Sequence, residues 1–493
     1  MKLTLSALES GRLAKSLHTP KYARRDLSPG ILHFGVGNFH RAHHAMYLHR
    51  LFQDKKNLDW AIVGAGVRSS EKAHFESLQN QDFLSTVVEQ SATSSRATVI
   101  GSMVELVAPA NYEEILNRLI QRDIRIVSLT VTEGGYFLTD SGDFDIETPE
   151  IQQDANGGHP PKTVFGLIVA ALKERREQRL PPFTVMSCDN IPHNGDVSRN
   201  ATCSLAAVSN PSLAQWIKDN VSFPNSMVDR ITPVTGETER RIVKERYHVD
   251  DDVPVFCEDF IQWVVEDHFC AGRPRYEDVG VSFVSDVLKF ETMKLRILNG
   301  GHAIIAYPAA LSGIEFAHEA METPLIKDFL LKVEIDEILP TIRDVTYNEL
   351  RSYLSVICTR FANPKIGDTI RRLCFDGSHR QPQFILPTIL DRLAGGHTTE
   401  GLALVSALWC RYCYGADETG KRIEANDPDW KKLVSAASSA REDPVCWLQQ
   451  KSIYGDLAHC AQFVSSFDKW LRRLWNLGTE ATIKSYLTEE KEN

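Results

Sequence analysis

The stretch Ile31-Leu-His-Phe-Gly35-Val-Gly37-Asn-Phe-His40-Arg41-Ala42 decides how this chain is read. Residues 31–34 predict a strand, Gly35-x-Gly37 follows at once, and an amphipathic helical run extends from 42 to 52. Glycines suit such a junction because the backbone must turn tightly and come close to a pyrophosphate, whose charge then rests on free amides at the helix N-terminus. His40 stands where the third glycine of the dinucleotide fingerprint would be, so the spacing alone is also compatible with a plain tight turn.

Working outward, strand patterns occur at 31–34, 60–63, 125–131, 184–187, 253–256 and 281–284, with helical patterns between most of them. Strands separated by helices predict a parallel α/β sheet. Beyond about residue 290 the texture becomes helical, at 291–310, 323–339, 366–373, 388–393, 399–413 and 467–475. The expected fold is α/β: a Rossmann-like N-terminal domain over 1–288, then a mainly α-helical C-terminal domain over 289–493 that carries the Lys294 helix.

Composition narrows the function. The 493 residues include 55 Lys and Arg against 65 Asp and Glu, a formal net charge of −10, whereas nucleic acids and anionic membranes are bound by basic excess. The basic stretch 173–179 contains two Glu and reads as a solvated helix face. Charges interrupt the first residues, and no apolar run approaches the ~18 residues of a membrane span, so a cytoplasmic protein is expected. The pair Cys410 and Cys413 has no second pair or histidine partner to complete a zinc site and predicts buried helix positions.

A second glycine pair, Gly64-Ala-Gly66, rivals the first. An acidic ribose reader is expected ~20 residues beyond such a loop, and Glu89 lies at that distance from the second pair. The first loop would use Glu71, past the end of the second strand. Either choice implies a nucleotide; an acidic reader favours NAD, while Arg68, close to Glu71, leaves some room for NADP.

Catalytic chemistry is suggested by Lys294-Leu-Arg-Ile-Leu-Asn299-Gly-Gly-His302. At about 100° per residue, Asn299 lies about 140° and His302 about 80° from Lys294, which places a base, an amide and an imidazole on one side of a helix. A solvated Lys and a core His fit the same spacing. A second candidate is Ser187-Cys-Asp189-Asn190-Ile-Pro-His-Asn194-Gly195, the loop after a strand end, where parallel sheets bind ligands. The segments 224–232, with Asp229, and 371–378 are further polar loops.

Several solutions to alcohol oxidation leave no trace here. None of the 13 Tyr has Lys four residues on, and no Cys, His and Glu zinc cluster is visible. A Lys base without metal remains, since burial can lower a lysine's pKa toward neutrality.

Lys294-x4-Asn299-x2-His302, the 35–43 loop, Thr132-Glu133-Gly-Gly-Tyr136 and Ser187-Cys-Asp-Asn190-x-Pro-x-Asn194-Gly195 together resemble the polyol-specific long-chain dehydrogenase/reductases, over nearly the whole of 31–475. The resemblance implies NAD-dependent, metal-independent interconversion of D-mannitol and D-fructose by a monomeric enzyme. Lys294 would be the general base, Asn190 and Asn299 the donors to the C2 oxyanion, and His302 the residue that orients substrate and base. Asp229, Arg372 and Arg380 would bind substrate, and Glu291 would assist proton exchange with water. Gly35, Val36, Gly37, Asn38, Phe39, Arg41, Arg68 and Glu71 would form the cofactor set, with Glu71 on the adenosine ribose. Two positions depart from the family pattern. Arg380 replaces a Lys, which bears on the choice among polyols, and Glu71 replaces an Asp, which bears on the strictness of NAD selection. Fructuronate reduction, or arabinitol or sorbitol oxidation, is the alternative within the class; a silent nucleotide-binding scaffold is the alternative outside it.

Overall fold

The computed structural model describes residues 1–139, 142–157 and 159–489. The chain divides into two units, Met1–Leu288 and Lys289–Asn493.

The first unit is organised by five parallel strands: β1 (Pro29–Phe34), β2 (Ala61–Ala65), β3 (Met103–Val107), β4 (Ile126–Leu129) and β5 (Thr184–Ser187). Their order is β3-β2-β1-β4-β5, that of a dinucleotide-binding sheet. Every residue of β2, β4 and β5 is buried, as expected of a parallel sheet covered on both faces. The covering helices include Val164–Glu177, whose N-cap Thr163 accepts a hydrogen bond from the Gly166 amide at 2.9 Å. Strand order reverses between β1 and β4, where Phe34 and Leu129 are paired. The 35–37 and 130–133 loops therefore leave the sheet at its switch point, where such sheets bind ligands.

Two expected strands lie elsewhere. Val255–Glu258 joins a four-stranded sheet beside the antiparallel pair Ser85–Gln90 and Ser95–Ile100, and Ser282–Val284 edges a three-stranded sheet with Gln262–Glu266 and Ser226–Asp229. The single parallel sheet expected for all six is thus replaced by three sheets. A strand's periodicity does not encode its pairing partner, and the 85–100 hairpin, absent from the sequence reading, supplies the partner for 255–258.

The second unit is helical. Its core joins helix Glu400–Cys413, buried at every position after Glu400, to Ala461–Thr488, which is broken at Gly478 with φ 81°. Trp409, Trp447 and Trp470 fill the space. Cys410 and Cys413 are buried thiols whose pKa values burial raises well above the usual range. The helix expected over 366–373 is split. Pro364–Ile366 forms a 3₁₀ turn, Gly367 takes φ 61°, and helix resumes only at Ile370–Leu373. The run expected over 291–310 is present but not uniform: Leu288–Met293 is α-helical, Lys294–Asn299 is a π turn, and Gly300–Leu311 is α-helical again. A second π turn, Glu334–Ile338, interrupts the 323–339 segment. Among the described residues no helix is long and apolar enough to cross a membrane.

Candidate active site

In the first unit the glycine loop follows β1. Gly35 has φ 92°, and an added Cβ would run into the Thr130 carbonyl. Its own carbonyl accepts hydrogen bonds from the Gly37 amide and Thr130 Oγ1, each at 2.7 Å, and meets His33 Nε2 at 3.1 Å. Gly37 caps helix Asn38–Ala42, and a Cβ there would meet nothing nearer than the Gly35 oxygen at 4.0 Å. Protein packing therefore does not require this glycine, whereas close backbone approach of a pyrophosphate does. His40, at the third-glycine position, is buried and stacks on His33 at 3.5 Å between ring centroids, so an imidazole fills the strand–helix gap that a glycine usually closes.

The other expected cofactor residues fall into different roles. Val36 is buried, and its carbonyl pairs with His74 Nε2 at 2.8 Å. Phe39 stacks on His43, and Asn38 Nδ2 donates to Pro233 O and Thr235 Oγ1. The Arg41 guanidinium is fully buried and donates to Asn38 Oδ1, Ser85 Oγ and Val253 O. It braces the loop from beneath and holds Asn38. Glu71 lies past the end of β2, with Oε2 accepting from the Arg68 amide at 3.1 Å and packed over Gly66.

The two glycine loops are now distinguishable. Gly64 lies inside β2, where a Cβ would collide with Leu106 and Val36, and Glu89 is ion-paired with Arg230 at 2.6 Å and Arg50 at 2.8 Å. The Gly35 loop opens a helix at the switch point, has an acidic side chain at the end of the next strand, and so fits a dinucleotide.

The loop after β5 is tied to the loop after β4. Asp189 accepts from the Val131 and Thr132 amides, both at 2.9 Å, and from Tyr136 Oη at 2.8 Å. Burial raises its pKa, and these donors oppose the shift. They hold Thr132 at φ 65°, and Asn190 follows at the exposed end of the anchored segment. Asn194 bonds both Ser226 backbone groups, fixing the strand Ser226–Asp229 on which Asp229 is buried.

Three buried imidazoles, His33, His40 and His44, bring nitrogens within 4.8 Å of one another. Ser128, Thr130 and Tyr276 already engage His33 and His44. His40 stacks on His33 with an interplanar angle of 15°, and neither of its ring nitrogens has a hydrogen-bond partner among the described residues.

In the second unit Lys294 and Glu291 are both buried, 7% and 6% exposed, on successive turns of one helix. The π turn changes the geometry expected from the sequence. An inserted residue brings Asn299 from about 140° to about 40° from Lys294, and His302 to about 20° on its other side. The three side chains therefore share a narrower face than a regular helix would give. Asn299 Oδ1 and His302 Nε2 are buried without a hydrogen-bond partner among the described residues. His302 stacks on Phe361 at 4.2 Å. Its pKa is pushed well below the usual range, first by burial, then by the guanidinium groups of Arg372, Arg380 and Arg360, so it is a neutral imidazole.

Arg372 is held by Asp368 through two 2.5 Å hydrogen bonds, and Arg380 donates to the Leu373 carbonyl at 3.1 Å. Arg372 also lines a cavity of about 330 Å³ with Thr369, Arg371, Phe375, Ala425 and Asn426. Arg360 and Phe361 were not legible in the sequence, because they meet His302 only through the packing of helix Tyr347–Phe361.

Comparison with known proteins agrees with this architecture. Residues 29–278 match the mannitol dehydrogenase Rossmann domain, and residues 286–475 match the mannitol dehydrogenase C-terminal domain. A mannitol 2-dehydrogenase of Cereibacter sphaeroides is 50% identical over 476 residues, 96% of this chain and 100% of its own. The structure of Pseudomonas fluorescens mannitol 2-dehydrogenase in ternary complex with NAD and D-mannitol superposes with a TM-score of 0.90 at 40% identity, covering 99% of this chain and 100% of that one. A substrate-free D-sorbitol dehydrogenase has a TM-score of 0.88 at 33% identity, over 98% and 100%.

Proposed function

The chain belongs to the mannitol dehydrogenase family, and from that premise we propose that it is an NAD-dependent polyol dehydrogenase that interconverts D-mannitol and D-fructose without a metal. NAD supplies the hydride acceptor for the C2 hydrogen in oxidation and the donor in reduction. The residues of the chain handle the proton and the geometry. Lys294 Nζ takes the C2 hydroxyl proton as the carbonyl forms and returns it in reduction, and Glu291, one turn away, passes that proton to and from water. Asn190 and Asn299 donate to the oxygen at C2, each such donor contributing roughly 3 kcal/mol by precedent in other enzymes. Neutral His302 orients the substrate, while Asp229, Arg372 and Arg380 bind its remaining hydroxyls. On the cofactor side, the amides after Gly35 would hold the pyrophosphate, Arg41 holds Asn38 in place, and Glu71 would accept from the adenosine ribose hydroxyls and so disfavour a 2′-phosphate.

The observation that carries this reading is the unpaired Asn299 Oδ1 and His302 Nε2, buried on the face of the helix that holds Lys294. Burying polar atoms unpaired is costly, and a polyhydroxylated substrate would satisfy both. A second reading, reduction of a hexuronate such as fructuronate, is favoured by the three guanidinium groups that bear on His302. The test is NADH oxidation with each ketose in turn. Fructose should be reduced. Turnover with fructuronate and none with fructose would transfer the assignment to the uronate.

A further inference from the structure

Glu334 opens the second π turn and is completely buried. Neither of its carboxylate oxygens has a hydrogen-bond partner among the described residues, and burial holds its pKa well above the usual carboxylate range. Glu337 on the same turn is different: it accepts from the Gly401 amide at 2.6 Å and the Leu402 amide at 3.0 Å, capping helix Glu400–Cys413. Glu334 has no such structural employment.

Its location is specific. A Cβ built on Gly301 would lie 3.2 Å from Glu334 Oε1, 3.3 Å from Phe361 Cε2 and 3.5 Å from Leu330 Cδ1. Gly301 immediately precedes His302, and Phe361 is the ring on which His302 stacks. The carboxyl thus lies beside Gly301, between Asn299 and His302, each of which has a buried polar atom without a hydrogen-bond partner among the described residues.

Burying a polar group unpaired is destabilising, and a leucine would suit a pocket lined by Leu330 and Phe361. Local violations of this kind concentrate at functional sites. We propose that Glu334 is a positioning residue of the Lys294 helix: its buried carboxyl, beside Gly301 and Phe361, sets where Asn299 and His302 present their polar atoms to the substrate. The kinetic part of this inference rests on the polyol reaction proposed above. A methyl group at Gly301 would oblige Glu334 and Phe361 to give by a few tenths of an ångström.

The test compares Glu334→Leu and Glu334→Gln in the full-length protein by steady-state kinetics, thermal melting and hydrogen exchange of the 295–306 segment. Glu334→Leu should melt at or above the wild-type temperature, yet lose on the order of ten- to a hundred-fold in kcat and show altered exchange over 295–306. Glu334→Gln, which keeps a neutral donor and acceptor, should recover most of the turnover. Wild-type kinetics and exchange in Glu334→Leu would overturn the proposal. So would a clear loss of melting temperature in that variant, which would make the carboxyl a paired structural group, or a Glu334→Gln as impaired as Glu334→Leu. The exchange measurement decides the matter even if the wild-type protein reduces neither ketose, an outcome that would count against the proposed reaction alone.

Discussion

Gly35→Ala should unseat the dinucleotide loop while leaving the second unit intact. The native φ of 92° is strained for any residue with a Cβ, at roughly 1–2 kcal/mol. The new methyl would also lie 2.7 Å from the Thr130 carbonyl carbon and 3.0 Å from Thr130 Oγ1, where ordinary contact begins at 3.4 Å. The loop must therefore move away from the strand end. That movement breaks the hydrogen bonds its carbonyl accepts from Thr130 Oγ1 and the Gly37 amide, at about 1 kcal/mol each. The total is about 3–4 kcal/mol, or on the order of 5–10 °C in the melting of the first unit. NADH titration by fluorescence should show weakened binding, because the displaced amides no longer point together at the pyrophosphate. Wild-type melting together with wild-type NADH affinity would refute this reasoning, since it would mean that neither the loop conformation nor its contacts depend on the glycine.

Lys294→Ala should lower kcat by about 10²–10⁴-fold with NADH affinity retained, read by stopped-flow turnover beside a binding titration; near-normal turnover would eliminate the Lys base. The first unit should also be acid-sensitive for an identifiable reason. Burial holds His44 and His49 at pKa values of about 3, against 6.5 in the unfolded chain, so the unfolded chain binds more protons as pH falls below 6.5 and stability declines from there toward pH 3. At pH 5.5 each histidine contributes a loss of about 1.4 kcal/mol, measurable by denaturant unfolding at pH 5.5 and 7.5. His49→Gln should remove about half of the loss from this pair, and an unchanged pH dependence would contradict the assignment.

Much of the site was legible because its residues are grouped by short-range constraints. A glycine loop must directly follow a strand and precede a helix, and a lysine, an asparagine and a histidine on one helical segment must lie within a few turns of each other. The angles were not legible. Regular helical counting spreads Lys294, Asn299 and His302 over about 140°, and the π turn at Lys294–Asn299 gathers them. The rivalry between Gly35 and Gly64 was equally beyond local reading. Both follow predicted strands, and only strand pairing shows that Gly64 is inside β2 while Gly35 leaves β1 at the switch point. Arg41, read as a cofactor residue, proves to be a buried brace, because the Val253 carbonyl and Ser85 hydroxyl it holds come from segments remote in the chain.

By itself the sequence determined the α/β-then-helical order, and it offered the two glycine loops and the Lys294, Asn299 and His302 segment only as candidates. The order follows from periodicity, whereas the roles of the candidate side chains follow from the family resemblance. Tertiary structure alone decided the environment of each group. Packing leaves Asn299 Oδ1 and His302 Nε2 without hydrogen-bond partners, buries His302 so that its pKa falls, a shift that Arg372, Arg380 and Arg360 reinforce, and places the buried carboxyl of Glu334 beside Gly301. Burial and partner geometry are properties of segments brought together from distant parts of the chain, and it is these that set protonation state and orientation.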